Sequence, residues 1–187
     1  DCKIFDFNLF LNKNVSSDAW TELEEYWRCK IDAISDDTEK QLNSTMKKFT
    51  DSIKEYDSDW IGLSVFSRFS VVACHTLIEY IRPKIEAKIM IGGHGINAWP
   101  GSLPGIDQNT KYNTIADYLL QENYIDHYIT GDGEDSIKEL LLGNKYPGID
   151  GLPPVQVKDL DDIPLPSYKS IEPKQYYYTD EPGVYLT

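Results

Sequence analysis

The sequence predicts an α/β fold, an open parallel sheet with helices on both faces, followed by an extended proline-rich tail. Three observations carry this. Strand-like and helix-like patterns alternate between residues 60 and 143, which is the mark of parallel strands joined by crossover helices. Trp60-Ile61-Gly62-Leu63-Ser64-Val65-Phe66 is a continuous apolar run, as expected for a strand buried on both faces, and Lys88-Ile89-Met90-Ile91 is another short apolar strand. Finally, seven prolines fall between residues 144 and 187, together with the cluster Tyr176-Tyr177-Tyr178. We therefore read residues 1–143 as one domain, with 1–56 the less regular part, and 144–187 as a linker or tail.

In chain order, Lys3-Ile4-Phe5-Asp6-Phe7 reads as a short strand and Asn8–Ser17 as a polar loop. Asp18 is placed to cap a helix whose apolar face holds Trp20, Leu23, Tyr26 and Trp27 at spacings of three and four. Cys29–Ser35 fits either a short strand or more helix. Asp36 followed by Glu39 has capping-box spacing, and Leu42, Met46, Phe49 and Ile53 continue at helical period to about Tyr56. After the strand at 60–66, Ser70 is placed to cap a helix from Val71 to about Arg82, which Pro83 ends. Lys88–Ile91 is closed by Gly92-Gly93. Residues 94–111 read as a long loop, Ile115–Gln121 as helix, Tyr124–Ile129 as a strand, and Glu134–Leu142 as a helix stopped by Gly143. Crossovers in such a chain are right-handed.

Composition narrows the functional classes. The 187 residues carry a net charge of −13, so phosphate backbones and anionic lipid are repelled and neither nucleic acid nor a membrane surface is an expected partner. No apolar run reaches the roughly 20 residues that span a bilayer. Cys2, Cys29 and Cys74 are odd in number and far apart, without a CxxC, which points to reduced thiols in a cytoplasmic setting and away from a cysteine zinc site. Neither a GxGxxG fingerprint nor a GxxxxGK[ST] phosphate loop occurs, and no nucleophile–base pair is evident, so no catalytic residue is assigned.

Ligands of open parallel sheets sit beyond the carboxyl ends of the strands. Three such ends here are small and polar: Ser64-Val65-Phe66-Ser67, Gly92-Gly93-His94-Gly95 and Gly131-Asp132-Gly133-Glu134. Glycines there let a bulky ligand approach the backbone, though glycine is also an ordinary turn residue. Of the histidines, His75 lies within a helix and His127 within a strand, both structural in expectation. His94 follows the glycine pair and is the one placed to touch a ligand. Asp132, Glu134 and Asp135 are read as complementing the dipole of the helix that follows.

Ser64-x-Phe66, then 25 residues, then Gly92-Gly93 resembles the second and third elements of the cobalamin-binding fingerprint. Ile89–Gly95, taken with Ile125–Ser136, resembles the flavodoxin- or Rossmann-like cobalamin-binding domain that precedes the barrel of radical S-adenosylmethionine (radical SAM) enzymes. Asp159–Tyr168 is similar to the linker of those enzymes, and Gly183–Thr187 to their first barrel strand. The resemblance covers residues 57–187. It implies a module that holds cobalamin through Ser64, Phe66, Ser67, Gly92, Gly93, His94, Gly131 and Gly133. The implied partner is a radical SAM barrel, in cis or in trans, and the [4Fe-4S] cluster and S-adenosylmethionine belong to that barrel, as does the methyl transfer or other radical reaction. One departure has consequences. The family's DxHxxG histidine, the lower ligand of cobalt, has no counterpart in Asn8–Ser17, so no metal ligand is expected from this chain. A cobalamin-free scaffold that docks the barrel, and a stand-alone flavodoxin-like transferase, are the competing expectations.

Overall fold

The computed structural model describes residues 2–103, 105–154, 156 and 161. Among the described residues six α-helices and three strands follow one another, with short 3₁₀ turns between some of them, as α1 (Phe7–Asn14), α2 (Ser17–Trp27), α3 (Asp36–Tyr56), β1 (Trp60–Ser64), α4 (Arg68–Ile81), β2 (Lys88–Gly92), α5 (Ile115–Gln121), β3 (His127–Ile129) and α6 (Glu134–Leu141). The strands form one parallel sheet in the order β1-β2-β3. The alternating α/β pattern after residue 60 is thus present. The expectations on Asp159–Tyr168, Tyr176–Tyr178 and Gly183–Thr187 lie outside the described residues, Asp161 apart.

The two faces of the sheet are covered unequally. Ile61, Leu63, Ile89, Ile91 and Tyr128 face a large core built with α1 to α5, in which Trp27, Ile78, Ile81, Ile115 and Leu119 are fully buried. The other face carries a second, small cluster of Ile129, Leu140 of α6 and Ile149, with Trp60, Met90 and Tyr146 against it. Helices do lie on both faces, yet over β1 the second face is covered only at Trp60: Gly62 and Ser64 are exposed. The reading of β1 as buried on both sides is corrected here. Its large and small residues alternate, and only Ile61 and Leu63 reach the main core.

The amino-terminal third departs most from expectation. Lys3–Phe7 forms no strand, and of the expected loop Asn8–Ser17 only Val15 and Ser16 lie outside helix, between α1 and α2. The Asp6 carboxylate accepts the Leu9 N–H at 2.8 Å and starts α1. Phe5, Phe7 and Phe10 all pack edge-on against Phe49 of α3, with centroids 5.0–6.0 Å apart. Burial of those rings on a helix replaces pairing in a sheet. Cys29–Ser35 is neither strand nor helix; Cys29 turns with φ 54°. The caps lie upstream of their expected positions: Ser16 caps α2, Ser35 caps α3, and Ser67 caps α4 with Ser70 closing the capping box. Glu22 accepts hydrogen bonds from Ser35 and Thr38, which ties α2 to the start of α3.

Strand β3 is shorter than the alternation of 124–129 predicted, because Asp126 is used as a clamp. Its carboxylate receives both guanidinium nitrogens of Arg82, at 2.8 and 3.0 Å, and the Ile89 N–H at 2.7 Å. Burial alone would raise the Asp126 carboxyl; Arg82 and the Ile89 N–H outweigh it and hold it below the usual carboxylate range. A folded-state pKa below the unfolded one stabilises above pH ~4, and that contribution is lost as pH falls through the lowered value. Asp126→Asn is expected to cost about 1–3 kcal/mol in urea unfolding at pH 7 and much less at pH 3. An equal cost at both pH values would contradict the clamp.

Residues 144–152, read from sequence as the start of a tail, include a segment packed on β3. Ile149 bridges Ile129 antiparallel, and Thr130 N–H donates to the Gly148 carbonyl at 2.8 Å. The Asp150 carboxylate accepts the Tyr128 N–H at 2.9 Å and meets His127 Nδ1 at 2.7 Å. Ser136 Oγ donates to the Pro147 carbonyl. The outer edge of β3 is therefore closed by the chain's own continuation.

Candidate functional site

Because β1, β2 and β3 are adjacent and parallel, their carboxyl ends and the three loops that leave them share one edge of the sheet. The register lays out the barer face in rows. Trp60 sits beside Lys88, Gly62 beside Met90 and then His127, and Ser64 beside Gly92 and then Ile129. The last row has no side chain larger than a hydroxymethyl on β1 and β2.

The eight residues singled out from sequence do different jobs along that edge. Ser64 ends β1 and is exposed. Phe66 follows with 79% of its surface exposed. Ser67 Oγ accepts the Ser70 N–H, and Ser70 Oγ accepts the Ser67 and Phe66 N–H groups, so both serines hold the start of α4. Gly92 ends β2; a Cβ there would lie 3.6 Å from the Ile129 carbonyl oxygen, an ordinary contact. Gly93 is different. Its φ is +105°, and a Cβ would lie 2.4 Å from the Val65 carbonyl oxygen. The two loops are stitched there by Val65 N–H to the Gly92 carbonyl at 2.8 Å and Gly95 N–H to the Val65 carbonyl at 3.0 Å. The glycine pair thus divides: Gly93 is required by loop packing, whereas Gly92 would accept a Cβ in ordinary contact with Ile129.

His94 opens a 3₁₀ turn over His94–Asn97, is exposed, and its imidazole makes no hydrogen bond to another described residue. Gly131, with φ +79°, is exposed, and Gly133 precedes α6 against the Ile137 side chain. Glu134 and Asp135 lie in the first turn of α6, where no side chain caps the helix. The acidic dipole-complement reading accounts for them.

Sequence reading missed Gly62, whose exposed surface extends the small-residue floor one row back, beneath Met90. The signal was the alternation Ile61, Leu63 against Gly62, Ser64 within an apolar run. It also missed the group at the far end of this face, where the His127 ring lies 5.7 Å from Trp60 and Lys88 Nζ 5.0 Å above the same indole.

His75 and Cys74 are structural. His75 is buried on α4 between the rings of Tyr118 and Tyr124, with Nε2 3.7 Å from Glu79 Oε1. Burial lowers its pKa, against the opposing pull of Glu79. Unfolded chains then take up a proton near pH 6.5 that the folded chain refuses, so stability falls as pH drops below about 6.5, until the lowered folded value is reached. We expect thermal midpoints of the wild type to fall more between pH 7.5 and 5.5 than those of His75→Phe. Parallel curves would remove His75 as the cause. Burial pushes the Cys74 thiol up to about 12, so it offers no thiolate near neutrality. Among the described residues no group of three or more His, Cys, Asp or Glu is arranged to hold a metal ion, and no helix is long and apolar enough to cross a membrane.

Comparison of the chain with protein-family models, with curated proteins and with solved structures finds no match. The site has therefore to be read from its own geometry. That geometry is a shelf: a floor of backbone at Gly62, Ser64 and Gly92, an exposed aromatic at Phe66, an imidazole at His94, and the Gly131–Gly133 turn beside them. Such a shelf suits a broad ligand that touches main chain over a wide area and has few acid–base demands.

Proposed function

We propose that this chain is a cobalamin-binding module of flavodoxin- or Rossmann-like type that presents its cofactor to a radical SAM barrel. The observation that supports it best is the row Ser64–Gly92 at the carboxyl edge of a parallel sheet, which carries no side chain larger than a hydroxymethyl on β1 and β2. A large corrinoid with a rim of uncharged amide groups needs a wide, backbone-lined floor more than it needs charged side chains. The chain would bind it with Ser64, Phe66, Gly92, His94, Gly131 and Gly133 in contact, and with Ser67 and Gly93 setting the loops that carry Phe66 and His94.

No histidine lies in α1 or in the turn to α2, so in this reading that segment would offer the cofactor no imidazole. Bound cobalamin supplies a cobalt centre able to carry a methyl group. The chemistry on substrate, with its iron–sulfur cluster and S-adenosylmethionine, belongs to the barrel, and this chain contributes binding, orientation and a docking face. The expected partners are that barrel and the small-molecule cofactor, in a cytoplasmic setting.

The test is retention. Purified chain is mixed with hydroxocobalamin, desalted, and its visible spectrum recorded. About one equivalent retained supports the module. No retention at high cofactor concentration transfers the chain to a second reading, a cobalamin-free scaffold that docks the barrel. One observation favours that alternative: loop packing against Val65 and capping of α4 already explain Gly93 and Ser67 without a ligand.

A further inference from the structure

Helix α6 buries only part of its apolar surface. Ser136 faces the segment 144–152, its hydroxyl donating to the Pro147 carbonyl, and Leu140 faces the sheet, in one cluster with Ile129, Met90 and Trp60. At about 3.6 residues per turn, Ile137 and Leu141 then stand on the flank turned away from that segment, toward β2 and β1. They are 39% and 49% exposed. Below them the sheet offers Met90, whose side chain lies over Gly62, and the Trp60 ring. The result is an open groove about as long as the five-residue β1, roughly 16 Å. Its wall and floor are apolar. Its rim carries two exposed lysines, Lys138 on α6 and Lys88, whose Nζ lies over the Trp60 ring.

We propose that this groove seats the chain's own segment Asp159–Tyr168. The place where the chain leaves the described residues supports this. The Pro154 Cα lies 3.8 Å from the Cβ position of Gly148, and the Gly148 carbonyl accepts the Thr130 N–H, just before the turn that starts α6. The chain thus departs beside the amino end of α6, with 155–187 still to follow, of which Gln156 and Asp161 are described. Residues 155–162 can reach about 25 Å, enough to round the start of a helix. The sequence that comes next suits the groove. Ile163-Pro164-Leu165-Pro166 sets two aliphatic side chains on a backbone that its prolines hold extended, and the six residues to Tyr168 cover roughly 19 Å. Asp159 and Asp162 come first and meet Lys138. Ile163 and Leu165 lie on Ile137 and Leu141, and Tyr168 ends at Trp60 beside Lys88. A second copy of this chain fits worse, because two bodies of net charge −13 repel. The segment covers Met90 and Trp60 and leaves the Ser64–Gly92 row open, so this inference stands apart from the cofactor reading.

The experiment uses the whole 187-residue chain without cofactor. Methyl–methyl contacts are recorded by NMR, trypsin cleavage after Lys169 is timed, and light scattering gives the mass. The expected result is a monomer in which the Ile163 or Leu165 methyls touch those of Ile137 or Leu141. Cleavage after Lys169 is expected to be about tenfold faster or more in Leu141→Asp than in wild type. Leu141 is half exposed, so that variant keeps its fold, which circular dichroism checks. Leu165→Asp frees the same segment without a change in the described residues and should speed cleavage equally. Absent methyl contacts, with equal cleavage in all three chains, would overturn the proposal. So would contacts that form only in a dimer, which would give the groove to a second copy. Cobalamin retention is read separately by absorbance, so either idea can fail alone.

Discussion

Gly93→Ala is expected to destabilise the fold by about 3 kcal/mol. Two costs add at this position. An L-residue at φ +105° sits in a region that side chains rarely adopt, and the new methyl would lie 2.4 Å from the Val65 carbonyl oxygen, main chain on both sides. Neither partner can step aside as a side chain would. Relief requires the loop after β1 and the loop after β2 to part, which breaks the bonds from Val65 to Gly92 and from Gly95 to Val65. For a chain of this size the thermal midpoint should fall by roughly 6–12 °C. A midpoint within 2 °C of wild type would mean that the two loops are not held as described.

Its neighbour should behave in the opposite way. Gly92→Leu is expected to leave stability within about 1 kcal/mol of wild type, since a Cβ there makes only ordinary contacts at 3.6 and 3.9 Å and leucine suits a strand better than glycine. The side chain then rises from the floor of the shelf beside Ser64. Hydroxocobalamin affinity, measured by equilibrium dialysis, should fall at least about tenfold, equivalent to about 1.4 kcal/mol. The two variants together separate a glycine kept for packing from a glycine kept for space. Unchanged affinity in Gly92→Leu, with the fold intact, would move the ligand away from this row.

The legibility of the sequence varied along the chain for physical reasons. From Trp60 to Leu141 the elements were readable because each strand or helix buries a whole face, and period follows burial. Leu42, Met46, Phe49 and Ile53 were readable for the same reason. Lys3–Phe7 misled because alternation of Phe5, Asp6 and Phe7 is compatible with a strand, whereas here the rings dock on Phe49 and Asp6 spends its carboxylate on a cap. Caps were misplaced by one to three residues wherever several of Ser, Thr and Asp stood together, since each is a competent cap. The Tyr146–Leu152 segment was hidden by its own glycines and proline, which sequence alone reads as linker. Its packing depends on Asp150 reaching His127 and Tyr128, a contact over more than 20 residues that no local pattern announces.

The site followed the same rule. That the strand ends would converge could be read from the α/β alternation. Which glycines are floor and which are joints could not, because that depends on where the Val65 carbonyl lies. Gly62 entered only once the sheet was known to be bare on that side.

The central claim is that the carboxyl edge of the sheet, and no other surface, carries the ligand. Amide hydrogen exchange of the chain with and without hydroxocobalamin measures this directly. The account predicts slowed exchange confined to Ser64–Ser67, Gly92–Ile96 and Gly131–Gly133, with α1 to α3 unchanged. Protection centred on α1 to α3, or none at saturating cofactor, would contradict it.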